Sequence, residues 1–139
     1  MEKDAIERLV AIALECNGRS YAPYSRYNVS AAVLADDGRI FTGVNVENAS
    51  YPCGICAERN AIFHAVAEGC RHFSAIAIVG GRDYHPCDDC TPCGLCRQVM
   101  REFCDPEKFI VACAKSATEY RTFTLAGLLP ESFGPDSFA

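Results

Sequence analysis

The sequence from residue 74 to residue 103 reads SAIAIVGGRDYHPCDDCTPCGLCRQVMREF. Its opening, residues 74–79, is a continuous apolar run followed by two glycines, which is typical of a buried strand. Residues 82–92 are polar and contain prolines, which indicates a loop. Residues 94–103 have the apolar spacing of a helix. The stretch therefore predicts a strand, a cysteine-rich loop and a helix, with cysteines at the point where the loop enters the helix.

The segments outside this unit complete an α/β pattern. The further predicted elements are helices at residues 3–16 and 57–68, strands at residues 27–34, 39–46, 109–114 and 120–125, and a short helical tail. Asp36-Asp37-Gly38 predicts a hairpin turn between the first two strands. A hairpin followed by two strand–helix–strand units predicts a mixed five-stranded sheet between helices. We expect a three-layer α/β/α fold in one domain, residues 1–139.

The composition restricts the classes of partner. The chain has 139 residues, half of them apolar, and a net charge of -5. Nucleic-acid binding requires clustered Lys and Arg, so this balance argues against it. No apolar stretch approaches the roughly 20 residues that cross a bilayer. The acidic N-terminus lacks the features of a secretory signal, so we expect a cytoplasmic protein with neither a nucleic-acid nor a membrane partner.

The ten cysteines are unusually many for this length. In a chain without an export signal they are interpreted as thiols or metal ligands before disulfides. Two groups stand out, namely Cys53 with Cys56, and the run Cys87, Cys90, Cys93 and Cys96. The scattered cysteines are Cys16, Cys70, Cys104 and Cys113, and they suit small buried apolar side chains.

Three of these cysteines have the spacing of metal ligands. Cys56 opens one predicted helix, and Cys93 and Cys96 open the other. Zinc binds thiolates readily, and a catalytic zinc keeps a fourth position for water beside three protein ligands. Backbone N–H groups at the helix starts favour the thiolate forms. We expect one Zn²⁺ per chain on these three cysteines.

Charged neighbours of the cysteines suggest further roles. Three thiolates leave a net charge of about -1 on a Zn²⁺ site, which opposes activation of a water. Arg59 and Arg97 each follow a ligand closely, so either guanidinium is a candidate donor to the sulfur atoms. Glu58 lies two residues after Cys56, where a carboxylate can move protons for a bound water without being a ligand.

These motifs carry a family resemblance. Residues 45–52 (NVENASYP), 54–59 (GICAER) and 92–98 (PCGLCRQ) together resemble the short, homotetrameric, zinc-dependent cytidine deaminases. Flanking similarities at residues 21–25 and 128–135 extend the resemblance over most of the chain. A C-x-x-C pair alone would be weak, but the combination of motifs is specific.

The resemblance implies a reaction and a set of residues. It implies hydrolytic deamination of free cytidine and 2′-deoxycytidine in pyrimidine salvage, by attack of zinc-bound hydroxide at C4 with Glu58 as the proton shuttle. The implied zinc ligands are Cys56, Cys93 and Cys96.

The resemblance also implies the contacts with the substrate. Asn45 and Glu47 are implied to bind the ribose 3′-hydroxyl, and Ala57 is implied to contact the substrate as well. Tyr27, where the family usually has Phe, is implied to pack on the base. Phe133 is implied to enter a neighbouring subunit's site in a homotetramer with shared active sites.

Other interpretations remain open from the residues. The chain can be a deaminase of another amino-pyrimidine or an antibiotic nucleoside, or a metal-binding module without activity. A polynucleotide-editing deaminase is disfavoured because the sequence has no Lys/Arg cluster. The run Cys87, Cys90, Cys93 and Cys96 also has the spacing of iron–sulfur ligands. Alternatively, Cys87 and Cys90, with or without Cys53, can bind a second zinc, or all three can be free thiols. Free thiols are favoured, since nothing else in the loop requires a second metal.

Overall fold

The fold is a five-stranded sheet with helices on both faces. The computed structural model describes residues 1–138. Its elements are α1 (Lys3–Cys16), β1 (Tyr27–Ala35), β2 (Ile40–Val44), α2 (Ala57–Ala67), β3 (Phe73–Arg82), α3 (Gly94–Phe103), β4 (Ile110–Ala114), β5 (Tyr120–Thr124) and the single-turn α4 (Leu125–Leu128). The strand order is β2-β1-β3-β4-β5. Only β3 and β4 pair in parallel, and the other neighbours are antiparallel. The predicted three-layer fold with a mixed sheet is confirmed.

The prediction for β3 was too short at its C-terminal end. The strand continues through Gly80 and Gly81 to Arg82, and the two glycines pair with β1. A Cβ on Gly81 would lie 1.9 Å from the carbonyl oxygen of His85, so the following loop folds directly onto the strand. These glycines allow close approach of another segment, and they do not end the strand.

The two faces of the sheet have different side chains because alternate strand residues point to opposite sides. Five alanines line the face under α1, namely Ala32, Ala75, Ala77, Ala112 and Ala114, together with Val79, and the partly buried Leu34, Ile40 and Ile110 pack against them. The face under α2 and α3 also carries larger side chains, among them Val33, Ile76, Ile78 and Val111. Among the helices of residues 1–138, none has the length and hydropathy of a membrane-spanning segment.

A glycine in β2 sets the position of α2. A Cβ on Gly43 would lie 2.3 Å from the backbone nitrogen of Ala61 and 2.6 Å from the carbonyl oxygen of Ala57. Both contacts are with helix backbone, which cannot rotate away as a flexible side chain can. The absence of a side chain at residue 43 therefore lets the first turns of α2 lie directly on the sheet.

We predict that Gly43→Ala displaces α2 and lowers the free energy of unfolding by about 2 kcal/mol or more, the usual scale for overpacking a core. The measurement is denaturant unfolding at fixed protein concentration. Gly18→Ala is the matched control, because nothing lies within 4 Å of a Cβ at that position. Its effect should stay within about 0.5 kcal/mol. Equal midpoints for Gly43→Ala and the parent protein would contradict the packing argument.

Candidate metal centre and adjoining cleft

Three thiols meet where the first turns of α2 and α3 approach each other. Cys56 is the N-cap residue of α2 and Cys93 is the N-cap residue of α3, while Cys96 lies in the first turn of α3. The sulfur of Cys93 is 3.7 Å from that of Cys56 and 3.5 Å from that of Cys96. All three sulfur atoms lie within 4.8 Å of one another.

This donor set fits a zinc ion. Tetrahedral Zn–S bonds of about 2.3 Å require sulfur atoms about 3.8 Å apart, close to the spacing seen here. Three ligands leave one position of a tetrahedron for water or substrate. In the part of the chain that the structure describes, no other group of three Cys, His, Asp or Glu side chains converges in this way.

Positive partial and full charges surround the three sulfur atoms. The helix N-termini present backbone N–H groups at Cys56 and Cys93, which stabilises thiolates. The Nη2 atom of Arg59 lies 3.5 Å from the sulfur of Cys56. Hydrogen bonding from Cys96, together with this guanidinium, lowers the pKa of Cys56 and so favours its thiolate form.

The second candidate arginine has different partners. Arg97 donates from Nε to the carbonyl oxygen of Pro92 at 2.7 Å and from Nη1 to that of Leu128 at 2.7 Å. Its guanidinium therefore joins the cysteine-rich loop to the C-terminal segment. Of the two arginines that the sequence offered as donors to sulfur, the structure brings Arg59 to a ligand.

Glu58 is buried beside the three thiols. The residue is 4% exposed and follows Cys56 in the first turn of α2. Burial raises its pKa to about 7, and the neighbouring Cys56 adds to the shift. A carboxyl group with this pKa can both accept and donate a proton near neutral pH, which is what a general acid–base group requires.

A cleft of about 500 Å³ opens next to Cys56. Its polar lining includes Asn45, Glu47 and Arg59, and Tyr24 and Tyr51 form its aromatic wall. This volume lies in the range of small-molecule sites. The cleft therefore joins the three thiols to a surface with hydrogen-bonding groups.

Asn45 and Glu47 both have partners within the chain. Asn45 donates to the carbonyl oxygen of Tyr27 at 2.8 Å, and its side-chain oxygen accepts from the backbone N–H of Val29 at 3.0 Å and from the Ser20 hydroxyl. These bonds fix its amide at the start of β1.

The Glu47 carboxylate closes a turn that the sequence did not reveal. It accepts from the backbone N–H groups of Tyr24 and Ser25 at 3.0 and 3.1 Å, and from the Ser25 hydroxyl at 2.5 Å. The Ser25 hydroxyl is the main cause of the lowered pKa of Glu47, which keeps the carboxylate charged. The sequence around Tyr24 and Ser25 is only weak evidence for this turn, because the carboxylate that closes it, that of Glu47, lies more than 20 residues away.

The remaining predicted contacts lie in three different settings. Tyr27 begins β1 and packs against the core, next to Cys90. Ala57 is fully buried and is absent from the lining of the cleft. Phe133 is 61% exposed and is absent from the lining of the cleft.

The additional cysteines do not form a second cluster within residues 1–138. Cys53 and Cys87 are exposed, whereas Cys90 is partly buried. A Cβ on Gly80 would lie 2.9 Å from the Cys90 sulfur, so this thiol packs on β3. Burial raises the pKa of Cys90 to about 12. The free-thiol interpretation of these cysteines stays a prediction.

Known proteins are similar to this chain in sequence and fold. The family model described as the cytidine and deoxycytidylate deaminase zinc-binding region matches residues 3–113. A cytidine deaminase of Sporosarcina psychrophila is 38% identical over 134 residues, covering 96% of this chain and 95% of that protein. One of Halalkalibacterium halodurans is 40% identical over 127 residues, covering 91% and 92%. The crystal structure of a cytidine deaminase from Burkholderia pseudomallei superposes with a TM-score of 0.82 at 41% identity, covering 96% and 100%.

We predict about one zinc per chain in protein purified under reducing conditions, and loss of that zinc in Cys96→Ser, because a hydroxyl is a poor substitute for a buried thiolate ligand. Elemental analysis measures the metal, and circular dichroism checks that the variant is folded. The double variant Cys53→Ser/Cys87→Ser is the matched control and should keep one zinc. Two zincs per chain, or iron with sulfide, would contradict the assignment.

Proposed function

The chain belongs to the cytidine and deoxycytidylate deaminase family, and we propose that it is the enzyme that hydrolyses free cytidine and 2′-deoxycytidine to uridine and 2′-deoxyuridine plus ammonia. The observation that carries this proposal is the buried Glu58 beside three converging thiols, one of which, Cys56, lines a cleft with hydrogen-bonding groups. The proposed role of this reaction is pyrimidine salvage in the cytoplasm.

The proposed chemistry divides between the metal and Glu58. A zinc ion held by Cys56, Cys93 and Cys96 would act as a Lewis acid that lowers the pKa of a water. The oxygen of the attacking water bonds to C4, and Glu58 carries one of its protons to ring N3 and the other to the exocyclic amino group, so that the C4–N bond breaks and ammonia leaves. The Glu58 pKa of about 7 suits both directions of transfer. The guanidinium of Arg59 offsets part of the thiolate charge, which otherwise weakens activation of the water.

The cleft supports a neutral nucleoside as the substrate. Asn45 and Glu47 are held at its edge by their own hydrogen bonds, so they meet a ribose hydroxyl without reorganising. Arg59 is the one cation among the described residues that line the cleft, and it is already directed at sulfur. A phosphate ester would therefore meet a carboxylate without a free cation, which disfavours nucleotides.

We further propose a homotetramer with shared active sites. Phe133 is mostly exposed and lies outside its own chain's cleft, as a residue that serves a neighbouring site would. It forms an edge-to-face pair with Phe138 at a ring-centroid distance of 5.5 Å. Two exposed aromatic rings in one tail are typical of a surface that another chain covers. In this arrangement Tyr27 packs on the base from within the chain and Phe133 closes a partner's site.

We predict that Glu58→Gln lowers the turnover of cytidine by roughly 10²- to 10⁴-fold, the usual contribution of a general acid–base group, and leaves one zinc per chain. The loss of cytidine absorbance and elemental analysis of the same preparation provide the two measurements. Glu68→Gln, an exposed residue at the other end of α2, is the control and should turn over normally. Zinc with full turnover in Glu58→Gln would contradict the role of Glu58, and no turnover in the parent protein would contradict the reaction.

We predict that Glu47→Gln lowers kcat/KM for cytidine and for 2′-deoxycytidine by about tenfold or more, because a hydrogen bond to a charged group contributes about 1.5–3 kcal/mol. The ratio of kcat/KM between parent and variant should fall below about twofold for 2′,3′-dideoxycytidine, which lacks the 3′-hydroxyl. Equal losses on all three nucleosides would show that Glu47 acts only on the shape of the Ser25 turn.

A further inference from the structure

The C-terminal tail is held by side chains of the helix that supplies two of the three candidate metal ligands. Arg97, Gln98 and Arg101 of α3 all contact the segment from residue 128 to residue 136. Gln98 donates from Nε2 to the carbonyl oxygen of Phe133 at 2.9 Å. The tail is therefore fastened on both sides of the exposed Phe133 ring.

Arg101 makes the most enclosed of these contacts. Its side chain is 10% exposed, although it carries a full charge. It donates from Nε to the Ser132 hydroxyl at 2.8 Å and from Nη2 to the Asp136 carboxylate at 2.6 Å. Both partners belong to the tail, so the hydrogen-bonded surroundings of this buried cation exist only when the tail is docked.

The tail has a glycine where the guanidinium lies against it. A Cβ on Gly134 would be 2.4 Å from Cζ and 2.4 Å from Nη1 of Arg101. The planar group therefore packs on the backbone of Gly134, between its bonds to Ser132 and Asp136. Phe133 lies in the middle of this clamped segment, one residue from the Gly134 contact.

From these contacts we infer that Arg101 is a positioning residue for the reaction: it locks residues 132–136 onto α3 and thereby fixes the direction in which Phe133 projects. This inference rests on the proposed function, in which Phe133 completes a neighbouring subunit's site. Arg101 itself touches neither the cleft nor the three thiols, so its effect on catalysis passes through Phe133.

The test is a double-mutant cycle between Arg101→Met and Phe133→Leu, with the zinc content of each protein measured. Arg101→Met alone should lower kcat/KM for cytidine by about five- to tenfold, the scale of one lost aromatic contact, with one zinc retained. In the Phe133→Leu background the same substitution should cost less than about twofold. An equal loss in both backgrounds, or no loss in either, would overturn the inference.

Two further variants separate positioning from general damage. Gly134→Ala pushes the guanidinium away from the tail and should reproduce the loss seen in Arg101→Met. Arg8→Met removes an arginine from the exposed side of α1 and should leave kcat/KM unchanged. Full activity in Gly134→Ala would overturn the inference.

A readout independent of activity distinguishes failure of the inference from failure of the proposed function. Amide hydrogen exchange across residues 132–137 should become faster in Arg101→Met, while the exchange of β3 stays the same. Unchanged protection of the tail would overturn the inference whatever the activity. A parent protein that binds zinc but does not deaminate cytidine would overturn the proposed function, and the exchange measurement would then decide alone whether Arg101 locks the tail.

Discussion

The close approach of α2 to the sheet is the constraint on which the candidate metal centre depends. Gly43 lets the helix backbone lie directly on β2, and this contact fixes the distance between the sheet and the first turn of α2. Cys56 and Glu58 belong to that turn, so the same contact determines how far the thiol reaches toward α3 and how deeply the carboxylate is buried. A looser helix would expose Glu58 to water, and its pKa would return toward that of an ordinary glutamate.

The sequence alone predicted most of the fold, because the periodic segments are long and their turns are well marked. The predicted hairpin, the helices that begin at residues 3, 57 and 94, and the mixed sheet agree with the structure. The end of β3 was wrong for a physical reason. Two consecutive glycines usually indicate a break in a strand, whereas here they make room for a loop, and no local pattern distinguishes these two uses.

The candidate site was predictable to the extent that short spacings define it. A C-x-x-C pair across a helix start brings two sulfur atoms together whatever surrounds it, so the approach of Cys93 and Cys96 follows from the sequence. Long side chains behave differently, since their partners lie far away along the chain. Nothing in the sequence distinguished Arg59 from Arg97, and nothing indicated that Arg101 would meet a tail 31 residues downstream.

The alanine-lined face under α1 has a consequence for how this protein can change. At the five alanine positions almost any substitution adds volume, and α1 must shift to accept it. The opposite face, with its branched and longer side chains, can exchange one shape for another while keeping its total volume. Substitutions should therefore accumulate mainly in the layer beneath α2 and α3, whereas the side chains of the layer beneath α1 should keep nearly the same size across long evolutionary distances.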